Sequence, residues 1–189
     1  MTSHWLARVF GLAVSYFLSP GRTKYGKRLY KIDGIPGEGR EKNHVEWIPV
    51  KSIEWGCERT LDMTDLGTTQ RGYANANFNK VSLTTELSKA SAKICTYVAS
   101  GKATPEVIID MCRAGDSESQ GMEAYLTFKL RHAIIDSYSV SGGEEQIPEE
   151  SWTLAYRGVE YSYRPSNFNT GKLGTPEVFK WNLETGDVS

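Results

Sequence analysis

The chain has 189 residues, with 22 Lys and Arg against 23 Asp and Glu and a formal charge of −1. That length suits one domain with its own core and a short appendage rather than two domains. The near-neutral balance gives no global attraction for phosphate backbones, which argues against nucleic-acid binding.

From the N-terminus, no stretch reaches the ~20 apolar residues a membrane-spanning helix needs. The best candidate, Trp5 to Leu18, is interrupted by Arg8, so no stable membrane insertion is expected. Its n-region is weak and no small-x-small site precedes Pro20, so it reads as an amphipathic or loosely ordered extension rather than a cleaved signal. Residues 19–28 are basic and turn-rich. Residues 1–28 are therefore an N-terminal extension and residues 29–189 the body.

Leu29 to Ile32 reads as a short strand, and Asp33 to Asn43 as a loop broken by Gly34, Pro36, Gly37 and Gly39. Val45 to Arg59 reads as one strand with apolar residues on both parities, Ile48 and Val50 against Trp47, Ile53 and Trp55. That predicts a strand met by protein on both faces, one of them intersubunit. Thr60 to Gly72 is polar and predicted to be a mobile loop, and Phe78 to Leu87 a strand with Val81, Leu83 and Leu87 in phase.

Ser91 to Ser100 is the one convincing helix of the body. Ile94, Tyr97 and Val98 share a face, Ser88 or Ser91 is the expected N-cap, and Gly101 is placed to end it. Pro105 to Arg113 is a strand with an interior run at Val107 to Ile109. Met122, Ala124, Leu126, Phe128 and Leu130 alternate with polar partners in a long half-buried strand that runs on through Ile135. A second long strand, Ser151 to Arg164, changes phase at Arg157 and Gly158, which reads as a bulge that helps a sheet close. Pro165 to Thr175 is a polar loop and Val178 to Leu183 a last strand. The fold class is mostly β: an antiparallel barrel of two packed sheets with one flanking helix.

Catalytic constellations are weak throughout. Cys57, Cys95 and Cys112 match neither a zinc site nor a disulfide framework and read as buried thiols of a reducing compartment. His4, His44 and His132 lack metal-site spacing and read as structural or surface residues. His44 with Glu46 as orienter and Cys57 as nucleophile would be a cysteine site, but nothing marks Cys57 as activated. Gly34 to Gly39 lacks the lysine and following helix of a phosphate loop. Asp110 with Glu144, Glu145, Glu149 and Glu150 would be the glycosidase carboxylates, but that acidic cluster reads as a solvated loop instead. The basic residues from Arg22 to Lys42 read as a solubilising joint. No catalytic residue, metal ligand or cofactor is expected.

The blocks Tyr30-Lys-Ile-Asp-Gly-Ile-Pro-Gly-Glu-Gly, His44, and Ile48-Pro-Val-Lys-Ser-Ile-Glu-Trp-Gly56 resemble the opening of the haemolysin-coregulated proteins (Hcp), which form the inner tube of type VI secretion systems. Leu87 to Lys102, Tyr125 to Glu144, Tyr163-Arg-Pro165 and Pro176 to Asn182 follow in that family's order, so the resemblance spans about residues 29–184. It implies a small barrel with a flanking helix that forms homohexameric rings, stacked into a hollow tube. It also implies contractile sheath, spike and baseplate partners, effector proteins in the lumen, and cytoplasmic assembly followed by export without a cleaved signal.

Within that resemblance, parity makes Ser52, Glu54, Ser137, Ser139 and Ser141 the expected lumen-facing residues. Thr60, Asp62, Asp65, Thr68 and Gln70 are the expected contacts to the next ring. The alternative is a secreted effector of the same type, whose extension adds a membrane or partner contact through Trp5, Leu6, Val9, Phe10 and Phe17.

Overall fold

Apolar alternation with period two forces these segments into sheets, and the pairing shows how the sheet closes. The computed structural model describes residues 27–59, 76–115 and 121–187. Its strands are β1 (Arg28–Ile32), β2 (Arg40–Glu41), β3 (His44–Val45), β4 (Ile48–Glu54), β5 (Cys57–Arg59), β6 (Ala76–Phe78) and β7 (Val81–Glu86). After helix α1 (Ser91–Ser100) come β8 (Ala103–Ala114), β9 (Met122–Ser141), β10 (Glu149–Ala155), β11 (Gly158–Tyr163) and β12 (Glu177–Asn182).

Every pairing is antiparallel. The order β10-β7-β4-β1-β8-β9 closes on itself because β10 also pairs with β9, which leaves no edge around that barrel. Strand β9, 20 residues long, is what allows closure. One of its edges carries β8; the other pairs Leu126 to Arg131 with β11 and then Ile134 to Ser141 with β10. Strand β12 lies outside the barrel on β11.

The change of partner happens at a local kink in both strands. His132 has a φ of 48°, and the buried side shifts from Phe128 and Leu130 to Ala133 and Ile135. Opposite, the Arg157 N–H donates to the Arg131 carbonyl at 3.0 Å while Gly158 pairs with that same residue. Two residues thus face one, as in a bulge. The predicted phase change is real, and it separates β10 from β11.

The predicted single strand from Val45 to Arg59 is instead three elements. Glu46, with a φ of 62°, and Trp47 turn the chain between β3 and β4, and Trp55 with Gly56 separates β4 from β5. The two apolar parities do not mark a strand covered on both faces. A register shift between Val50 and Ser52 brings Ile53 opposite buried Leu83. Ile53 and Trp55 therefore turn toward the same interior as Ile48 and Val50, while Ser52 and Glu54 point away from it. The end of the predicted loop carries β2, which pairs with β3 just beyond it in a small hairpin. The chain packs so closely there that a Cβ on Gly37 would lie 2.5 Å from the Trp47 carbonyl oxygen.

The interior is filled by Tyr30, Ile48, Val81, Leu83, Val107, Ile109, Leu130, Ile135, Trp152 and Leu154, all buried. Full burial of side chains this size contributes about 1.5–3 kcal/mol each. Helix α1 lies against β9 and adds Ala90, Ile94 and Tyr97 to the same core. Neither predicted serine is its N-cap; that position is Ala90, and the Ser91 hydroxyl accepts the Ser88 N–H at 2.9 Å. Gly101 ends the helix as expected. Its φ of 62° is left-handed, and its N–H reaches the Val98 carbonyl.

Candidate functional site

The five residues singled out by parity belong to one face of the barrel wall. Across β4, β7, β10 and β9 the register places Ser52, Thr84, Ser151 and Ser139 in one row. Glu54, Ser82, Thr153 and Ser137 make the next row, and Glu86, Glu149 and Ser141 begin another. Directly opposite residues share a face, so Ser52, Glu54, Ser137, Ser139 and Ser141 converge. All five are exposed. The sequence reading missed the middle of the sheet: Ser82 and Thr84 on β7, Ser151 and Thr153 on β10. Their signal was present, since they alternate with the core residues Val81, Leu83, Trp152 and Leu154.

The face is held by short polar contacts. Ser137 and Thr153 share a hydroxyl hydrogen bond of 2.6 Å, and the Ser139 hydroxyl donates to the Ser151 carbonyl at 3.3 Å. At one end Lys51 bridges Glu149 (2.7 Å) and Glu86 (3.1 Å), and those hydrogen bonds raise its ammonium above the ordinary lysine range. At the other end Asp136 accepts from Lys80 and from the Thr153 hydroxyl. Burial pushes the Asp136 carboxyl upward, but these hydrogen bonds outweigh it and the group settles below its ordinary value. The surface is therefore a lattice of small hydroxyls between paired charges. Such a surface offers hydrogen bonds without an apolar patch to which folded proteins would adhere.

Directly beneath it the structure corrects the acidic-loop reading. Glu150 is not solvated: it is 1% exposed, accepting from the Tyr138 hydroxyl at 2.7 Å and the Thr85 hydroxyl at 3.1 Å. Thr85 in turn accepts from the Trp152 indole at 3.2 Å. Burial, and then the hydrogen bond to Glu150, hold the Tyr138 phenol well above its usual range. Glu150 is in phase with Trp152 and Leu154, which was the available signal. Glu149 lies on the polar face, and Glu144 and Glu145 are exposed as expected.

The histidine and cysteine expectations divide. Buried His44 donates from Nδ1 to Glu41 at 2.5 Å, its Nε2 stands 3.2 Å from Asp110, and Cys112 Sγ lies 3.5 Å from that nitrogen. The hypothetical nucleophile Cys57 is an exposed residue of β5 and plays no part in this cluster. Cys95 is half-buried, so of the three thiols predicted to be buried only Cys112 is fully so. Burial, reinforced by the Asp110 and Glu41 charges, pushes the Cys112 thiol up to about 12. A thiol held in that form is a poor nucleophile.

The cluster ties the β2–β3 hairpin to the barrel. Glu41 also accepts the Met122 N–H (2.9 Å) and the Asn43 N–H (3.0 Å). Burial pushes the Glu41 carboxyl upward, and the bonds from Met122, His44 and Asn43 more than offset it, leaving it below its ordinary value. Among the described residues no group of three or more His, Cys, Asp and Glu is placed to hold a metal ion. Among the same residues no helix is long and apolar enough to cross a membrane.

The expected ring-contact residues Thr60, Asp62, Asp65, Thr68 and Gln70 lie outside the described residues, as do all but Lys27 and Arg28 of the predicted extension and joint. The hairpin that leads into the loop is described. β5 and β6 pair Cys57 with Phe78, and Phe78 stacks on Trp181 at 5.6 Å and on Phe179 at 6.3 Å. Trp55 meets Phe128 edge-on at 5.5 Å. Trp55 also lies 6.4 Å from Phe78, so an aromatic ladder from Trp55, just after β4, to β12 fixes where the hairpin leaves the body.

Residues 30–163 match the family described as "Type VI secretion system effector, Hcp". Protein hcp1 of Pseudomonas aeruginosa is 28% identical over 155 residues, which cover 81% of this chain and 92% of that protein. A solved structure titled "Structure of a type six secretion system protein" superposes with a TM-score of 0.77 at 28% identity, covering 86% of this chain and 99% of that one. Hcp1 from Salmonella typhimurium superposes at 0.67 with 22% identity, over 88% and 100% of the two chains. At that identity the likeness speaks for the fold alone.

Proposed function

Since this chain belongs to the Hcp family of type VI secretion, we propose that it is a structural subunit of the secretion tube. It forms six-membered rings that stack into a hollow conduit and carry effector proteins into target cells. The observation that carries this reading is the hydroxyl-rich face of β4, β7, β10 and β9. Successive rows of serine and threonine in register suit a wall that guides proteins without gripping them. Its mechanism is mechanical: the lining presents hydroxyls rather than apolar groups, and Lys51, Glu86, Glu149, Lys80 and Asp136 at its ends are paired with one another. No residue is assigned a catalytic role. The sheath, spike and baseplate are the partners that push the tube, and export proceeds through the same apparatus.

Light scattering behind a sizing column tests the ring, with a species near six chains expected and a monomer at every concentration contrary to it. The lumen assignment is tested separately. A small gold label on Ser139→Cys, in a Cys57→Ser/Cys95→Ala background, belongs in the central hole of ring images. A label on the outer rim would overturn it.

A further inference from the structure

A cleft of about 190 Å³ opens where β9, β11 and β12 meet, lined in part by Arg131, Arg157, Lys180 and Glu184. Its charges are unbalanced. Glu160 is the shared acceptor of Lys129 (3.6 Å), Arg131 (3.9 Å) and Lys180 (3.3 Å), and Arg157 pairs with Glu184 at 2.9 Å. Three cations of the lining, Arg131, Arg157 and Lys180, thus face two carboxylates, Glu160 and Glu184, and Glu160 is further engaged by Lys129 from outside it. The Arg131 and Arg157 side chains remain 57% and 64% exposed, and each guanidinium has five donors, most of which the pairings above leave to solvent. A concave surface of this kind is made to receive further carboxylates.

The chain carries a matching piece elsewhere. The turn between β9 and β10 presents Glu144 and Glu145, both exposed and without an ion pair to any described residue, with Ile147 61% exposed beside them. The overall charge is only −1, so these two patches are local concentrations of opposite sign. The apolar residues match as well. Val178 is 48% exposed and lies two positions from Lys180 on the same face of β12, as Ile147 lies two positions from Glu145.

One molecule cannot bring the two patches together. Arg131 and Ser141 are ten residues apart on the continuous strand β9, a span of roughly 30 Å at about 3.3 Å per residue. A turn closing that strand cannot fold back onto its middle. The cleft lies half-way along β9, at Arg131 and His132, away from either end of that strand.

We propose that the Glu144–Glu145 turn of one copy seats in the Arg131–Arg157–Lys180 cleft of its neighbour, with Ile147 against Val178, and that this contact joins subunits around the ring. The inference rests on the ring reading above. Two different patches on each subunit make a heterologous contact, which closes into a ring when its rotation divides a full turn. Electrostatic complementarity of this sort sets register and speeds encounter.

The test is a charge swap in the full chain, followed by light scattering across protein concentration. Arg131→Glu/Arg157→Glu and Glu144→Lys/Glu145→Lys each raise the half-assembly concentration by about tenfold or more, and all four changes in one chain restore it. The milder Arg131→Gln/Arg157→Gln shifts it in the same direction, and melting curves of the monomeric fraction confirm that each variant folds. Variants that assemble at the wild-type concentration overturn the contact while the ring stands. So does a fourfold variant as dissociated as the doubles. A wild-type chain that never assembles overturns the ring reading, and the contact with it.

Discussion

Removing one hydroxyl, in Tyr138→Phe, isolates the buried carboxylate of Glu150. The phenol donates to Glu150 at 2.7 Å, and the other side-chain donor to that carboxylate is the Thr85 hydroxyl at 3.1 Å. The substitution keeps the ring and its packing but leaves a carboxylate that is 1% exposed with one donor fewer. A hydrogen bond to a charged group is worth about 1.5–3 kcal/mol. Tyr138 is itself only half-buried, so water partly replaces the lost donor and about 2 kcal/mol is the reasoned cost. For a chain of this size each kcal/mol moves the melting temperature by roughly 2–4 °C, so a fall of roughly 4–8 °C is expected. The assay is thermal unfolding at fixed protomer concentration, because assembly couples to stability by mass action. Repeating the change in a Glu150→Gln background should shrink its effect, since a neutral amide needs the donor less. A loss below about 0.5 kcal/mol, or an effect undiminished in the Glu150→Gln background, would refute the claim that the phenol holds a buried charge.

Two further outcomes follow from the same geometry. The Cys112 thiol is pushed up from the ordinary 9.0 to about 12, so the folded chain keeps a proton that the unfolded chain releases. Stability is then fully present below about pH 9 and falls as pH rises toward 12, and Cys112→Ala should flatten that slope in melts taken across this range. Trp181→Ala removes the ring on which Phe78 stacks at 5.6 Å. Complete burial would make the loss about 3–5 kcal/mol; Trp181 is half-buried, so about 2 kcal/mol is expected by thermal melting, with Trp181→Phe recovering most of it.

Much of the architecture was legible because a strand writes its buried face into alternate residues. Met122 to Leu130 show that alternation, and β9 forms there. Ser91 to Ser100 carry a helical stripe ended by a glycine, and α1 occupies those residues. The polar face was legible in part for the same reason, since Ser52, Glu54, Ser137 and Ser139 alternate with core residues. The failures share a cause. Ile53 and Trp55 read as facing away from Ile48 and Val50 because parity counting assumes an unbroken ladder, and a register shift at Lys51 breaks it. Glu150 was grouped with Glu144, Glu145 and Glu149 by charge, although its parity with Trp152 pointed inward.

By itself, then, the sequence determined the long strands β7, β8 and β9, where the helix stops, and which family pattern the chain follows. These depend on neighbours within a few residues, through side-chain period, capping and turn chemistry. The tertiary structure alone decided that β9 exchanges β11 for β10 at His132, that Glu150 meets Tyr138 and Thr85 beneath the hydroxyl face, and that His44 reaches Asp110. The contacts of Glu150 and the one to Asp110 join residues 12 to 66 positions apart. No local period encodes such pairings; they follow from closure of the barrel, which buries a continuous core by bringing distant strands into register.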